Sequence, residues 1–225
     1  MKKILFSLVF IFIFSTGAFS KTWQNNIGIG FSVPFSSIGV NKSGEDSINQ
    51  LCYGAEGTYI GIHQNGFSIK ADVSLGIATS KDISLQDRKI NVGAFENVVF
   101  GAGYSFVHTE KTVLGACAAF GVEMSQYSVK EDDVKIDSEY YDVTKTISLV
   151  TFSAGADFFA VYRLSPRFGF FANLAARFII VGNENYEYKQ ETTSKKSKNS
   201  SSSDNDIDLL GNFIVQPSIG LIWTF

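Results

Sequence analysis

The stretch of residues 213–225 alternates between apolar and other side chains. Every second position is apolar: Phe213, Val215, Pro217, Ile219, Leu221, Trp223 and Phe225. The positions between them include Gln216, Ser218, Gly220 and Thr224. Because successive side chains of a β-strand point to opposite faces, this two-residue period predicts a strand with one apolar face. An apolar strand with an unpaired edge is prone to aggregate, so the pattern favours a sheet that closes on itself.

Seven earlier segments repeat the alternation. They cover residues 27–35, 51–62, 67–77, 90–107, 114–125, 152–162 and 168–180. The segment 67–77 is the most regular, and its length fits the ~9–11 residues that a tilted strand needs to cross a bilayer. The alternation is irregular around residues 95–99, where we expect a β-bulge.

The connectors between these segments are alternately long and short. The long ones are residues 36–50, 79–89, 127–145 and 182–208, and the short ones are 63–66, 108–111 and 163–167, the first with an Asn-Gly hairpin signal. Bacterial outer-membrane barrels have an even number of strands, short periplasmic turns and long extracellular loops. The sequence therefore predicts an all-β fold, an eight-stranded antiparallel up-and-down transmembrane β-barrel. Its last strand should pair with residues 27–35.

The composition of the two strand faces decides between a membrane barrel and a soluble, lipocalin-like one. In a soluble barrel the polar face meets water and carries many charges. Here that face is mostly Gly, Ser, Ala, Asn and Thr, which suits the crowded inside of a small barrel. The apolar face carries aromatic residues towards the strand ends, as in a membrane-interface girdle: Tyr53, Tyr59, Tyr104, Tyr162 and Trp223. The pattern favours the membrane barrel.

The N-terminal residues have the pattern of a secretory signal peptide. Lys2 and Lys3 precede an apolar run over residues 4–14, and small residues follow at Ala18 and Ser20. The run is shorter than the ~20 residues of a membrane helix. We expect cleavage of residues 1–20 and a single barrel domain over residues 21–225. The net charge of −3 gives no reason to expect a nucleic-acid partner.

Six charged residues fall on the inward face and are candidates for a lumen charge network. They are Glu56, Lys70, Asp72, Glu123, Asp157 and Arg177. Buried charges must pair, and the simplest arrangement sets Lys70 and Arg177 against the carboxylates. Two interpretations remain open: a structural polar network that fills the lumen, and a path for protons or ions.

The sequence offers little for catalysis. Its two histidines, His63 and His108, fall in short turns, and we find no Ser–His–carboxylate set. No metal-ligand spacing or cofactor motif is present, so we expect neither an enzyme nor a cofactor. Cys52 and Cys117 should lie at different heights in the barrel, and their separation favours two free thiols.

The chain resembles the small eight-stranded outer-membrane proteins, namely the OmpA transmembrane domain, OmpX and OmpW. The resemblance rests on the strand architecture and on a terminal strand similar to the assembly signal of this class: Ile219, Leu221, Trp223 and Phe225. It implies contact with outer-membrane lipid, periplasmic chaperones and the barrel-assembly machinery, with no cofactor. We expect a monomer with a structural or surface-interaction role carried by the four long loops. The alternative is a narrow channel for small apolar or ionic solutes, as the similarity to OmpW would imply.

Overall fold

The computed structural model describes residues 22–38, 48–81, 84–85, 88–89, 92–136, 139–192, 197–206 and 212–225. The expected signal peptide lies outside these residues. The described residues form twelve strands: β1 (Trp23–Ser32), β2 (Phe35–Ile38), β3 (Ile48–His63), β4 (Phe67–Ser80), β5 (Ser84–Leu85), β6 (Arg88–Lys89), β7 (Val92–His108), β8 (Thr112–Ile136), β9 (Glu139–Ser165), β10 (Phe168–Thr192), β11 (Ser197–Asp206) and β12 (Phe213–Thr224). No helix in these ranges is long and apolar enough to cross a membrane.

The strands form a closed antiparallel ring. Around the ring, β1 and β2 together occupy one position, followed by β3, β4, β7, β8, β9, β10 and β12. Strand β12 pairs with β10 on one side and with β1 and β2 on the other, which closes the barrel. The short β5–β6 hairpin is a separate sheet, and β11 pairs with β10 above the ring. The predicted fold class is confirmed.

The closing seam joins the first and last strands in the expected way. Ile27 pairs with Trp223 and Phe31 pairs with Ile219. Between β1 and β2 the strand is interrupted at Pro34, which has no N–H group to donate to a neighbour. The main chain still bonds there, because Val33 N donates to Pro217 O (3.0 Å) and Cys52 N donates to Pro34 O (2.7 Å). The seam is continuous across the interruption.

The long connectors contain more strand than the sequence predicts. The expected loop 127–145 is wrong, because β8 continues to Ile136 and β9 begins at Glu139. Loop 182–208 is also wrong over most of its length, since β10 reaches Thr192 and β11 follows. Loops 36–50 and 79–89 are shortened by β2, β3, β4 and the β5–β6 hairpin. Beyond a membrane the outward face of a hairpin meets water, and in β8 the apolar side chains change to the inward face, with Tyr127 buried and Ser128 exposed.

The expected bulge at residues 95–99 is also wrong. Strand β7 pairs with β4 from Val92 to Tyr104 with no shift of register. The shift in β7 lies instead between Ser105 and Val107. The alternation looks irregular at 95–99 because Phe95 and Val99 are apolar residues that point inward, at 1% and 2% exposure.

The outer surface of the ring is apolar. Large exposed side chains include Ile29, Phe31, Leu75, Phe100, Phe120, Phe158, Phe178 and Ile219, with Phe178 73% exposed. Near the short turns this surface carries aromatic residues with polar atoms, among them Tyr104, Tyr162 and Trp223. In a soluble protein so extensive an apolar surface would cause aggregation, whereas lipid is an equivalent apolar solvent for it.

Candidate functional site

The inside of the barrel is divided into three layers along its axis. We call the end with the short turns the turn end, and the opposite end the hairpin end. The turn-end layer is a cluster of buried residues: Ile60, Ile62, Val113, Cys117, Phe159, Val161, Phe171 and Ile222. The hairpin-end layer is a second cluster: Ile38, Cys52, Ala78, Phe95, Tyr127, Ile147, Leu149, Ile179 and Ile214. Between them lies a polar belt that holds all six charged residues of the predicted lumen network, each at most 3% exposed.

One part of the belt is centred on Lys70. Its ammonium group forms a salt bridge with Asp72 on the same strand and lies 2.7 Å from Asp157 Oδ2 on β9. Asp72 also accepts a hydrogen bond from Thr58 Oγ1 (2.6 Å). The contact between Lys70 and Asp157 crosses the lumen, because β4 and β9 are not neighbours in the ring. A buried charge that keeps an opposite charge and neutral donors close by avoids most of its desolvation cost.

A second part of the belt surrounds the carboxylate of Glu56. This group accepts hydrogen bonds from four neutral side chains, which are Ser218 Oγ (2.7 Å), Gln216 Nε2 (3.0 Å), Asn173 Nδ2 (3.2 Å) and Ser74 Oγ (3.3 Å). These donors come from β4, β10 and β12, so the carboxylate connects strands from both ends of the chain. The charge of Glu56 is therefore satisfied by dipoles rather than by a cation.

Among the described residues Arg177 does not pair directly with a carboxylate, which corrects the simplest arrangement expected for it. Its Nη2 donates to Gln216 Oε1 (2.7 Å), which also accepts from Asn97 Nδ2 (2.6 Å). The guanidinium lies over Gly121, where a Cβ atom would come within 2.9 Å of Nη1. The amide of Gln216 thus stands between Arg177 and Glu56, and it joins their charges in one chain of hydrogen bonds.

Glu123 is set apart from these contacts. Its side chain is 2% exposed, and neither carboxylate oxygen has a hydrogen-bond partner among the described residues. Arg177 Nε and Nη1 are likewise unbonded there. The hydrogen bonds of the belt are therefore concentrated around Lys70 and Glu56, although Asp157 Oδ1 and Asn173 Oδ1 have no partner among the described residues.

Sequence reasoning missed the neutral members of the belt. The alternation places Gln216 and Ser218 on the inward face but does not identify them as partners of Glu56. Asn97 falls in the stretch that the sequence predicts to be irregular. The signal that identifies such residues is an amide or hydroxyl on the same strand face as a buried charge, since that charge needs donors or acceptors around it.

The four residues of the predicted assembly signal all face outward. Ile219 and Phe225 are 63% and 74% exposed, and Leu221 and Trp223 are about half as exposed. Trp223 makes an edge contact with Phe168 at the turn end (5.6 Å between ring centroids). Phe225 N donates to Asn25 O (2.8 Å), so the main chain is held in the seam while the ring remains outside.

The histidines and cysteines do not form a reactive site. His63 Nδ1 contacts Asn65 Oδ1 (2.8 Å), and His108 Nε2 contacts Gln24 Oε1 (3.0 Å). Cys52 and Cys117 are free thiols in opposite apolar layers, as the sequence predicted. Within the described ranges, no group of three or more His, Cys, Asp or Glu could hold a metal ion.

Comparison with known proteins identifies solved structures that share this architecture. No family model and no curated protein sequence matches the chain. The crystal structure of a major outer membrane protein from Thermus thermophilus matches with a TM-score of 0.51 and 13% identity, over 88% of this chain and 99% of that one. OprG from Pseudomonas aeruginosa matches with a TM-score of 0.52 and 11% identity, over 91% and 97%. This is the fold of the small outer-membrane β-barrels.

In an outer-membrane β-barrel the side chains inside the ring determine which solutes can pass through it. Here the polar belt could hold water or an ion, but an apolar layer lies on each side of it along the axis. Moving an ion through such a layer costs several kcal/mol, because nothing in it replaces the lost hydration. An ion that moved along the axis of the barrel would therefore meet both apolar layers.

Proposed function

We propose that this chain is an integral outer-membrane β-barrel with a sealed lumen, which presents its long hairpins as a contact surface outside the cell. The observation that carries the proposal is the pair of apolar layers that enclose the charged belt. A barrel that is filled in this way acts as a scaffold, so recognition falls to the segments that it holds in place. This role needs neither a catalytic residue nor a cofactor.

The outer face of the ring supports membrane insertion, and the expected signal peptide supports export. Residues of the size of Phe120 and Phe178 are 65% and 73% exposed, which only an apolar solvent makes favourable. By the topology of this fold the short turns face the periplasm and the hairpins face outward. Insertion would then require periplasmic chaperones and the barrel-assembly machinery, with the terminal strand as the recognition element.

The hairpins extend well beyond the bilayer. Strands β8, β9 and β10 have 25, 27 and 25 residues, more than twice the ~9–11 that cross a membrane. Above the ring they continue with β11 as a four-stranded sheet in the order β8-β9-β10-β11. Charged side chains lie on the surface of this sheet. Among them, Lys130 Nζ lies 3.4 Å from Asp142 Oδ2, and the two side chains are 58% and 43% exposed. A rigid, charged sheet of this size is suited to contact a host or neighbouring-cell surface.

Recordings in planar bilayers test the sealed lumen. We expect no conductance steps from the folded protein, whose folding is checked by a heat-modifiable shift in gel migration. The two native thiols give an independent readout, since each lies in one apolar layer. A water-soluble maleimide should label neither Cys52 nor Cys117 until the protein is unfolded. Reproducible conductance together with labelling of Cys52 in the folded state would reject the sealed lumen.

A narrow passage for small solutes is the second candidate. It is favoured by the unbonded carboxylate of Glu123 and the unbonded Nε and Nη1 of Arg177, which are buried polar groups able to receive a solute or water. This role requires the hairpin-end layer to open. Uptake of a small ionic solute into vesicles, lost when Arg177 is replaced by Met, would support the passage over the sealed scaffold.

A further inference from the structure

The outside of the ring carries a groove of about 510 Å³ at the hairpin end, which we call the rim groove. Four of its lining residues form one row across neighbouring strands: Phe35 on β2, Leu51 on β3, Thr79 on β4 and Val92 on β7. Phe35 and Val92, at the two ends of the row, are 36% and 57% exposed. Leu51 and Thr79 between them are half-buried. The rim groove is therefore a mainly apolar depression in the outer wall.

The outer surface changes from apolar to polar at this row. On β4 the next outward residue towards the turn end is Ile77, which is 50% exposed, and the next towards the hairpin end is Lys81. On β3 the corresponding residues are Tyr53 and Asn49. The rim groove thus lies where the apolar band of the ring ends.

The length of β4 puts this boundary at the far side of a bilayer. The strand has 14 residues, beginning at Phe67, whose ring contacts Trp23 at the turn end. At ~3.3 Å per residue and a tilt of ~35–45° it rises roughly 33–38 Å. The apolar band of an outer-membrane barrel is ~25 Å tall, so the end of β4 reaches the level of the lipid headgroups.

The charge at the upper edge of the rim groove is positive. Lys81 is exposed there and forms no ion pair with a described residue, and no carboxylate is among the described lining residues. The segment 81–89 that continues from this edge has three basic side chains, Lys81, Arg88 and Lys89, against Asp82 and Asp87. A lysine can lay its apolar stem along such a surface while its ammonium group reaches a headgroup.

We propose that the rim groove binds a phosphorylated lipid of the leaflet on the hairpin side. One acyl chain lies on Leu51 and Thr79 between the side chains of Phe35 and Val92, and the phosphate accepts a hydrogen bond from Lys81 Nζ. The apolar floor favours a lipid over a soluble phosphate ester, and the cationic edge favours a phosphorylated lipid over a neutral one. The inference rests on the membrane insertion proposed above, but not on the sealed lumen.

The test uses the full chain folded in micelles of a neutral detergent. Dioleoyl phosphatidic acid is the probe, dioleoylglycerol is its phosphate-free counterpart, and native mass spectrometry counts the bound lipids. We expect one saturable site with a higher affinity for phosphatidic acid. Lys81→Met should weaken the binding of phosphatidic acid about fivefold and leave that of dioleoylglycerol unchanged. The matched control is Lys111→Met, since Lys111 is exposed at the turn end and does not line the rim groove.

A second pair of variants tests the floor. Thr79→Trp fills the rim groove, so neither lipid should bind. Ile77→Trp places the same ring one step nearer the turn end, outside the groove, and should leave binding unchanged. If Thr79→Trp does not fold, the lysine pair decides the question, because the Lys81 side chain is exposed.

Four results would each overturn the site. They are the lack of saturable binding, equal affinity for the two lipids, equal weakening in both lysine variants, and equal loss in both tryptophan variants. A heat-modifiable shift in gel migration separates this failure from that of the proposed function. An unaltered protein that shows the shift but binds no lipid contradicts the rim groove alone, whereas a protein without the shift contradicts the membrane barrel.

Discussion

Lys70 Nζ lies 2.7 Å from Asp157 Oδ2, although the two residues belong to strands on different sides of the barrel. Both side chains are 2% exposed. The pair therefore braces the ring across its lumen, in a direction in which the main-chain hydrogen bonds of the wall provide no support. The apolar layers above and below keep water from screening it.

Replacing Lys70 by Met should destabilise the barrel by about 3–5 kcal/mol, because Asp72 and Asp157 would remain buried without their cation. Urea-induced unfolding in lipid vesicles measures this change. The matched control is Lys130→Met, whose partner Asp142 lies 3.4 Å away on the exposed hairpin. We expect an effect of about 0–1 kcal/mol there. Similar losses in the two variants would contradict the cross-lumen brace.

Replacing Tyr127 by Ala should open the hairpin-end layer selectively. The ring of Tyr127 is fully buried and belongs to the same cluster as Cys52. Maleimide should then label Cys52 in the folded protein while Cys117 stays protected.

The matched change at the other end is Phe159→Ala, which removes a ring from the cluster around Cys117. Here Cys117 should become reactive and Cys52 should not. If either variant exposes both thiols, the layers do not act as separate seals.

Replacing Gly220 by Ala should strain the closing seam. A Cβ atom at Gly220 would lie 2.2 Å from Ile29 O and 2.5 Å from Cε1 of Phe171. Overpacking of this kind typically costs about 1–3 kcal/mol. The measurement is the urea midpoint together with the folded fraction on an unboiled gel. Gly57→Ala is the control, since a Cβ there meets nothing within 4 Å and should be tolerated. Equal behaviour of the two variants would argue against a tight seam.

Replacing Phe225 by Ala should affect assembly in cells more than stability in vitro. The ring is 74% exposed, whereas the main-chain bond to Asn25 does not depend on the side chain. Refolding of purified protein into vesicles should therefore be close to that of the unaltered chain, and the level of folded protein in the outer membrane should fall. The reverse result would mean that Phe225 is a structural residue and not part of an assembly signal.

The barrel wall is predictable from sequence because its strands meet two different surroundings. Where one face meets lipid and the other the lumen, as over residues 67–77, the alternation is clear. Beyond that region the same strands continue with apolar residues such as Tyr127 and Val143 on the inward face and many charged residues between them, so the sequence predicts a loop over 127–145 where the structure has strands. The inward direction of Phe95 and Tyr127 is not evident from sequence, since apolar side chains inside the ring have the same composition as those that face lipid.

The charged residues of the belt are predictable, but their partners are not. Alternation places Glu56, Lys70 and Arg177 on the inward face of their strands. Which side chains then meet depends on the stagger of strands around the ring, and the sequence does not state that stagger. For this reason the role of Gln216 between Arg177 and Glu56 becomes visible only in three dimensions.

The contacts of Glu56 have a consequence for the order in which the barrel can form. Its bonds to Gln216 and Ser218 join residues 160 and 162 positions apart in the chain. They cannot exist in any partial sheet that lacks β12. Until the last strand arrives, the Glu56 carboxylate lacks two of its four donors on the face that must later be dry, and such a sheet is better accommodated in water than in lipid. The hydrogen bonds of the Glu56 carboxylate are therefore complete only when β12 has joined the ring.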